Sequence, residues 1–211
     1  MSADWIILSI FTTLVYFIFI LYYSDKPYQK IATLSLSQTV PLCVFNLLIT
    51  LPVALYGWTR FCPIKQDYPF DVLNVIKMIP TIFVGSFIFG VVHYIFHRIT
   101  FLYNNIHKLH HRAIVTKPFD CLYVHPLEFV FTMIYPIMFA MTIFKLHIML
   151  MYITVVFALH ENVYAHFTHE DSTSEHNYHH KLFNVNYDSY PFIFGKFITK
   201  TYMKRTSKKD K

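Results

Sequence analysis

The chain has 211 residues, 55% of them hydrophobic, 19% aromatic and only 14% charged, with a mean hydropathy of +0.40. That is far too apolar for an ordinary soluble domain, and it excludes disorder, a collagen-like repeat and a secreted disulfide scaffold. The net charge of +6 has a simpler explanation than nucleic acid, because the basic residues lie outside the apolar runs.

From Trp5 to Tyr23 the chain runs without a charge, long enough at about 1.5 Å per residue to cross a hydrocarbon core of roughly 30 Å. The leader before it carries no basic residue and no A-x-A site follows, so the pattern predicts an uncleaved anchor helix and not a signal peptide. A second span covers about Leu34 to Trp58, with Pro41 and Pro52 as expected kinks, and a third covers about Val72 to Phe96, interrupted by Lys77 and Pro80. Two further apolar runs fill Glu128 to Tyr164. They are joined by only Phe144-Lys145-Leu146-His147, so they read as a transmembrane hairpin. The three cysteines, Cys43, Cys62 and Cys121, lack C-x-x-C spacing and are assigned no chemistry.

Three crossings followed by a hairpin bring the end of the third span and both ends of the hairpin to one face. Lys26, Lys30, Arg98, Lys108, Arg112, Lys117 and eight basic residues after position 180 share that face, 14 of the 18 in the chain, so the positive-inside rule makes it cytosolic. The ending Lys208-Lys209-Asp210-Lys211 has the form of a dilysine retrieval signal of the endoplasmic reticulum, with a solvated basic tail beside anionic headgroups as the plainer alternative.

All thirteen histidines fall between His93 and His180. Eight form boxes: His93-x-x-x-His97, His107-x-x-His110-His111 and His176-x-x-His179-His180. Residues at i, i+3 and i+4 of a helix share a face, so each box can aim its imidazoles at one pocket. One H-x-x-H-H arises by chance in roughly one such chain in twenty and two in roughly one in a thousand. Eight imidazoles exceed what one four- or six-coordinate ion can use, which points to two metal ions. His160, at the end of an apolar helix returning to the same face, is a ninth candidate ligand. His125 can be read either way, and His147, His166 and His169 are read as structural hydrogen-bonding residues. Imidazole suits several metals, but a structural zinc site would be smaller and usually recruit cysteine. Glu161, Glu170, Asp171 and Glu175 are too few and irregular for a carboxylate-bridged bundle. Iron fits best, since oxygen chemistry suits a lipid whose C–H bonds offer nothing to hydrolysis.

At these boxes the sequence resembles the fatty acid hydroxylase superfamily of membrane di-iron enzymes, most closely its sterol C-5 desaturase (lathosterol oxidase) branch. The likeness runs from His107-Lys108-Leu109-His110-His111 through Lys117-Pro118-Phe119 to Val124-His125-Pro126, and from His176-Asn177-Tyr178-His179-His180 through Phe183-Asn184-Val185-Asn186-Tyr187. His160 is similar to the family histidine that ends the last hairpin. The resemblance implies a four-helix membrane bundle with a cytosolic histidine cap, two non-haem irons, O2 as oxidant, and electrons from NAD(P)H through cytochrome b5 and its reductase. It further implies C-5(6) desaturation of a Δ7 sterol. Asp188 and Phe194-Gly195-Lys196-Phe197 depart from the branch and bear on substrate fit.

Together these readings predict an all-α integral membrane protein, with about four transmembrane helices by the resemblance and five apolar runs, three spans and a hairpin, by the sequence itself. Its expected parts are N-terminal helices over 1–60, a catalytic unit over 70–196 and a basic tail over 197–211. The rival readings are a hydroxylase of the same superfamily acting on another sterol or an acyl lipid, a membrane b-type haem protein, and a non-catalytic lipid-binding protein that inherited the boxes.

Overall fold

A computed structural model describes residues 4–24, 33–62, 67–167 and 175–183. Among them there is no strand. Five helical stretches are long and apolar enough to cross a membrane: α1 (Asp4–Tyr23), α2 (Leu36–Phe61), α3 (Val72–Arg98), then, after the short α4 (Thr100–Asn105), α5 (Pro126–Phe144) and α6 (Ile148–Ala165). Two 3-10 turns, His107–Arg112 and Pro118–Leu122, precede α5, and α7 (Glu175–Leu182) follows α6. The all-α architecture and the histidine cluster are as the sequence predicts.

Each long helix carries apolar residues on both faces. On α1, Leu8, Tyr16 and Ile20 are buried while Ile7, Ile10, Leu14, Ile18 and Leu21 are more than half exposed, a stripe at helical spacing that only a bilayer would cover. Proline shapes three of the spans. Pro52 and Pro136 each follow a π-helical turn, Asn46–Thr50 in α2 and Phe129–Ile134 in α5. A prolyl ring clashes with the carbonyl four residues earlier and has no N–H to give it, and widening the preceding turn relieves the clash. In α3, Pro80 follows the break at Lys77. Gly85 lets α3 lie close on α5, because a Cβ there would come within 3.0 Å of Ile137 Cδ1.

Pairwise contacts fix the direction of every helix. Trp5 stacks edge-on against Tyr56, which joins the start of α1 to the end of α2, while Tyr23 at the other end of α1 reaches His160 near the end of α6. The start of α2 lies at that same end, where Lys117 Nζ donates to Leu34 O and pairs with the buried Asp120. At the opposite end Asn74, in the first turn of α3, donates to Lys145 O and accepts from His147 N, pinning the tip of the α5–α6 hairpin. The chain therefore alternates up and down five times, and it collects the end of α3, both ends of the hairpin and α7 at one end of the bundle.

Candidate metal centre

Nine imidazoles gather at that end in two groups. In the first, His93, His97, His107, His111 and His179 each place a ring nitrogen within 4.8 Å of all the others. His110, His166, His176 and His180 do the same in the second. Eight of the nine are buried, and His97 is half-buried. α3 supplies His93 and His97 from adjacent turns of its last stretch. The 3-10 turn His107–Arg112 supplies three ligand candidates, α7 three more, and His166 caps the end of α6. The second box is thus a 3-10 turn and not the α-helical face that its spacing suggested. Each H-x-x-H-H box divides between the groups in a complementary way. The outer pair His107/His111 joins the first group and its middle His110 the second, whereas the outer pair His176/His180 joins the second and its middle His179 the first.

Second-layer contacts hold these rings. His107 Nδ1 lies 2.6 Å from Glu128 Oε1, which turns its Nε2 toward the other rings of the first group. In the second group, His110 Nδ1 donates to Tyr123 O at 3.3 Å and His166 Nδ1 to Asn162 O at 2.8 Å, which again leaves Nε2 facing inward. The carbonyls around Tyr123 are in turn fixed by the fully buried Asn46, whose Nδ2 donates to Leu122 O and Val124 O. α7 is anchored through Asn177, which lies 2.5 Å from Thr116 Oγ1 and donates to Phe167 O. Phe183, in left-handed conformation just past α7, packs its ring on His111.

Burial drives the basicity of these rings down. His107, His110, His111, His176 and His180 lie well below the usual imidazole range, each chiefly through desolvation and secondly through neighbouring imidazoles. His166 is lowered to about 4, again by burial, against the opposing pull of the Asn162 carbonyl. All are therefore neutral near pH 7 and carry a lone pair, the form that binds metal.

The residues fit metal ions. Nε2–Nε2 separations in the first group run from 2.7 to 3.2 Å. That is close to the ~3 Å kept by neighbouring imidazoles bound at about 2.1 Å to one ion. Lone pairs facing one another at that distance repel unless a cation lies among them. Both ring nitrogens of His180, and Nδ1 of His111 and His176, are buried without a hydrogen-bond partner, an arrangement that costs about 1–3 kcal/mol per atom unless something else satisfies them. An all-imidazole donor set suits zinc, copper, iron or nickel.

The other candidates fall elsewhere. His160 joins neither group. Its Nε2 is 2.9 Å from Tyr23 Oη and its Nδ1 3.0 Å from Glu161 Oε1, because residue 160 lies on the face of α6 turned toward α1. His166, six residues on, lies in the second group instead. His125 and His147 accept from the backbone N–H two residues on, Leu127 and Met149, and so cap α5 and α6. Glu128 is the residue that sequence reasoning missed. Its signal was the motif His125-Pro126-x-Glu128, where a lone carboxylate opens an apolar helix. His169, Glu170, Asp171, Asp188, the stretch after Phe183 and the basic tail lie outside the described residues.

With this geometry in hand, the comparisons with known proteins are direct. Residues 78–201 match the model of the fatty acid hydroxylase family, more than half of the chain, and the protein belongs to that family. The C-4 methylsterol oxidase erg25 of Schizosaccharomyces pombe is 31% identical over 134 residues, covering 54% of this chain and 45% of that protein. The chain thus spans under half the length of this curated relative. No solved structure matches.

Proposed function

We propose that the protein is an O2-dependent membrane oxidase that acts on a sterol through two non-haem irons. His93, His97, His107, His111 and His179 hold one iron, and His110, His166, His176 and His180 the other. The observation that carries this reading is the convergence of nine imidazoles, in two adjoining sets, on one end of an apolar helical bundle. When bound, iron supplies the redox chemistry by which O2 is reduced and hydrogen is taken from an unactivated C–H bond.

The rest is the work of this chain's residues. Glu128, Tyr123 O and Asn162 O fix three imidazole orientations before any metal arrives, so little reorganisation is needed on loading. Apolar residues of α3, α5 and α6 wall the site on its membrane side, exclude water and bring a lipid carbon to it. Phe89 and Thr132 line the cavity through which that carbon approaches His93, His110 and His176.

The finer reading is C-5(6) desaturation of a Δ7 sterol, with electrons from NAD(P)H by way of cytochrome b5 and its reductase. The likeness to a C-4 methylsterol oxidase supports a second reading, oxidation of a C-4 methyl group. We place the catalytic unit at residues 70–196 and the histidine end on the cytosolic side of the endoplasmic reticulum membrane, in keeping with the basic residues there. The test is the sterol profile, by gas chromatography and mass spectrometry, of cells lacking their own C-5 desaturase and expressing this chain or its His179→Ala variant. Δ5,7 sterols only with the intact chain are the expected result. Unchanged Δ7 sterols from a well-expressed protein would overturn C-5 desaturation, and loss of 4-methyl sterols in cells lacking C-4 oxidase would establish the second reading.

A further inference from the structure

Three cavities in the bundle share two wall residues, Met133 and Asn162. The first is apolar and lies between α1, α2, α5 and α6. Of the side chains around it, only Thr12 and Asn162 are polar. The second opens onto His93, His110, Glu128, His166 and His176. The third runs beside Gly85 and Phe89 between α3 and the hairpin. Among the described residues, a path from the first cavity through these spaces to the histidines runs beside Met133 and Asn162.

The two residues hold each other weakly. Asn162 Nδ2 donates to Met133 Sδ at 3.5 Å, and a thioether is a poor acceptor that a hydroxyl oxygen readily replaces. Met133 is also the side chain best able to move, being unbranched and carried on the π-helical turn of α5. The backbone of Asn162 is meanwhile fixed, because its carbonyl accepts from His166 Nδ1. An oxygen held by the Asn162 amide is thus held at a set place relative to the second histidine group.

The first cavity measures about 90 Å³, less than a sterol fills, so entry of one requires side chains along its wall to move aside. α1 and α6 run parallel, with Phe11 against Tyr152 and Tyr23 against His160, so Thr12 is level with the region just past Tyr152. Asn162 then stands about 14 Å nearer the histidine end, at 1.5 Å per residue. In a sterol the ring hydroxyl is borne on C-3, one bond from C-4 and two from C-5. Anchoring that oxygen at Asn162 would hold both carbons within a few bonds of the neck.

We propose that Met133 and Asn162 form the gate between the apolar cavity and the metal centre, and that the Asn162 amide donates to the hydroxyl oxygen of a sterol entering with its oxygen-bearing ring first. This rests on the reading of the chain as a sterol oxidase. Asn162 is a positioning residue and Met133 the steric barrier.

Binding without turnover tests it. The full chain, loaded with iron in lipid nanodiscs and kept without reductant, is titrated with a tritiated Δ7 sterol and with its 3-deoxy counterpart. The wild type is expected to prefer the hydroxylated sterol by about tenfold, the size of one hydrogen bond. Asn162→Leu is expected to bring the ratio close to one with two irons per chain retained. Met133→Ala is expected to keep the ratio and to speed association several-fold. If Asn162→Leu does not fold, Asn162→Ala serves with the same readout. No preference in the wild type, or an undiminished preference in the Asn162 variant, overturns the gate. Absence of saturable sterol binding to the wild type, with binding of a tritiated fatty acid instead, overturns the sterol reading itself.

Discussion

The two histidine groups are built from the same boxes but supported differently. The first takes five imidazoles, and its His107 leans on a carboxylate, Glu128. The second takes four, and two of them, His110 and His166, lean on backbone carbonyls. A carboxylate raises the donor strength of a histidine more than a neutral carbonyl does, and a side chain can be replaced where a carbonyl cannot. The first group is therefore the one whose affinity a single second-layer mutation can tune. The second is tuned through the fold, by Asn46 holding the 122–124 carbonyls and Asn162 sitting one turn before His166.

The comparison breaks most sharply at a shared box. His179→Ala removes a proposed ligand of the first group and His110→Ala one of the second, and each is expected to lower activity at least a hundredfold while leaving membrane insertion intact. Full turnover in either variant would remove the di-iron assignment.

The membership of the second group is tested by exchanging its two nominees. His166→Ala is expected to lose about one of two irons per chain, measured by mass spectrometry of the purified protein, whereas His160→Ala keeps both. The reverse pattern would return the ligand role to His160.

Glu128→Gln separates the groups next. It keeps a hydrogen-bonding side chain but removes the ionisable carboxyl, and is expected to weaken one of the two metal-binding steps by ten- to a hundredfold in a chelator competition, with the other step unmoved. Equal weakening of both would mean that the groups load as one unit.

Acid should empty both groups together. The imidazoles are neutral when folded, and His166 has its pKa lowered to about 4 from an ordinary 6.5. A lowered histidine pKa contributes stability that is fully present above the unfolded value. Between about pH 6.5 and 4 the unfolded chain takes up protons that the folded chain does not, so stability and metal retention fall across that window. A metal-retention curve flat down to pH 4 would contradict this.

The smallest effect is expected at the far end of the bundle. His147→Ala removes a helix cap and a ring contact with Phe70, and should cost about 1 kcal/mol with iron content and activity unchanged.

Much of this was legible in the chain because lipid imposes a one-dimensional rule. A span must be apolar for its whole length, so α1, α2, α3, α5 and α6 can be read as runs, and Pro52 and Pro80 as places where helices widen or break, whereas Pro41 sits within continuous α-helix. The eight box histidines were legible for a related reason, since H-x-x-x-H and H-x-x-H-H keep imidazoles within reach of one pocket in any helical geometry. What the sequence by itself determined was therefore the all-helical membrane class and the crowding of histidine at one end. The tertiary structure decided how the boxes divide between two groups, that His166 and not His160 faces them, and that Glu128 orients His107. Those choices depend on which face of α6 turns toward α1 and on contacts such as Glu128 with His107, 21 residues apart. Local spacing carries no information about such rotations, because the apolar residues on every side of a membrane helix leave its orientation to packing alone.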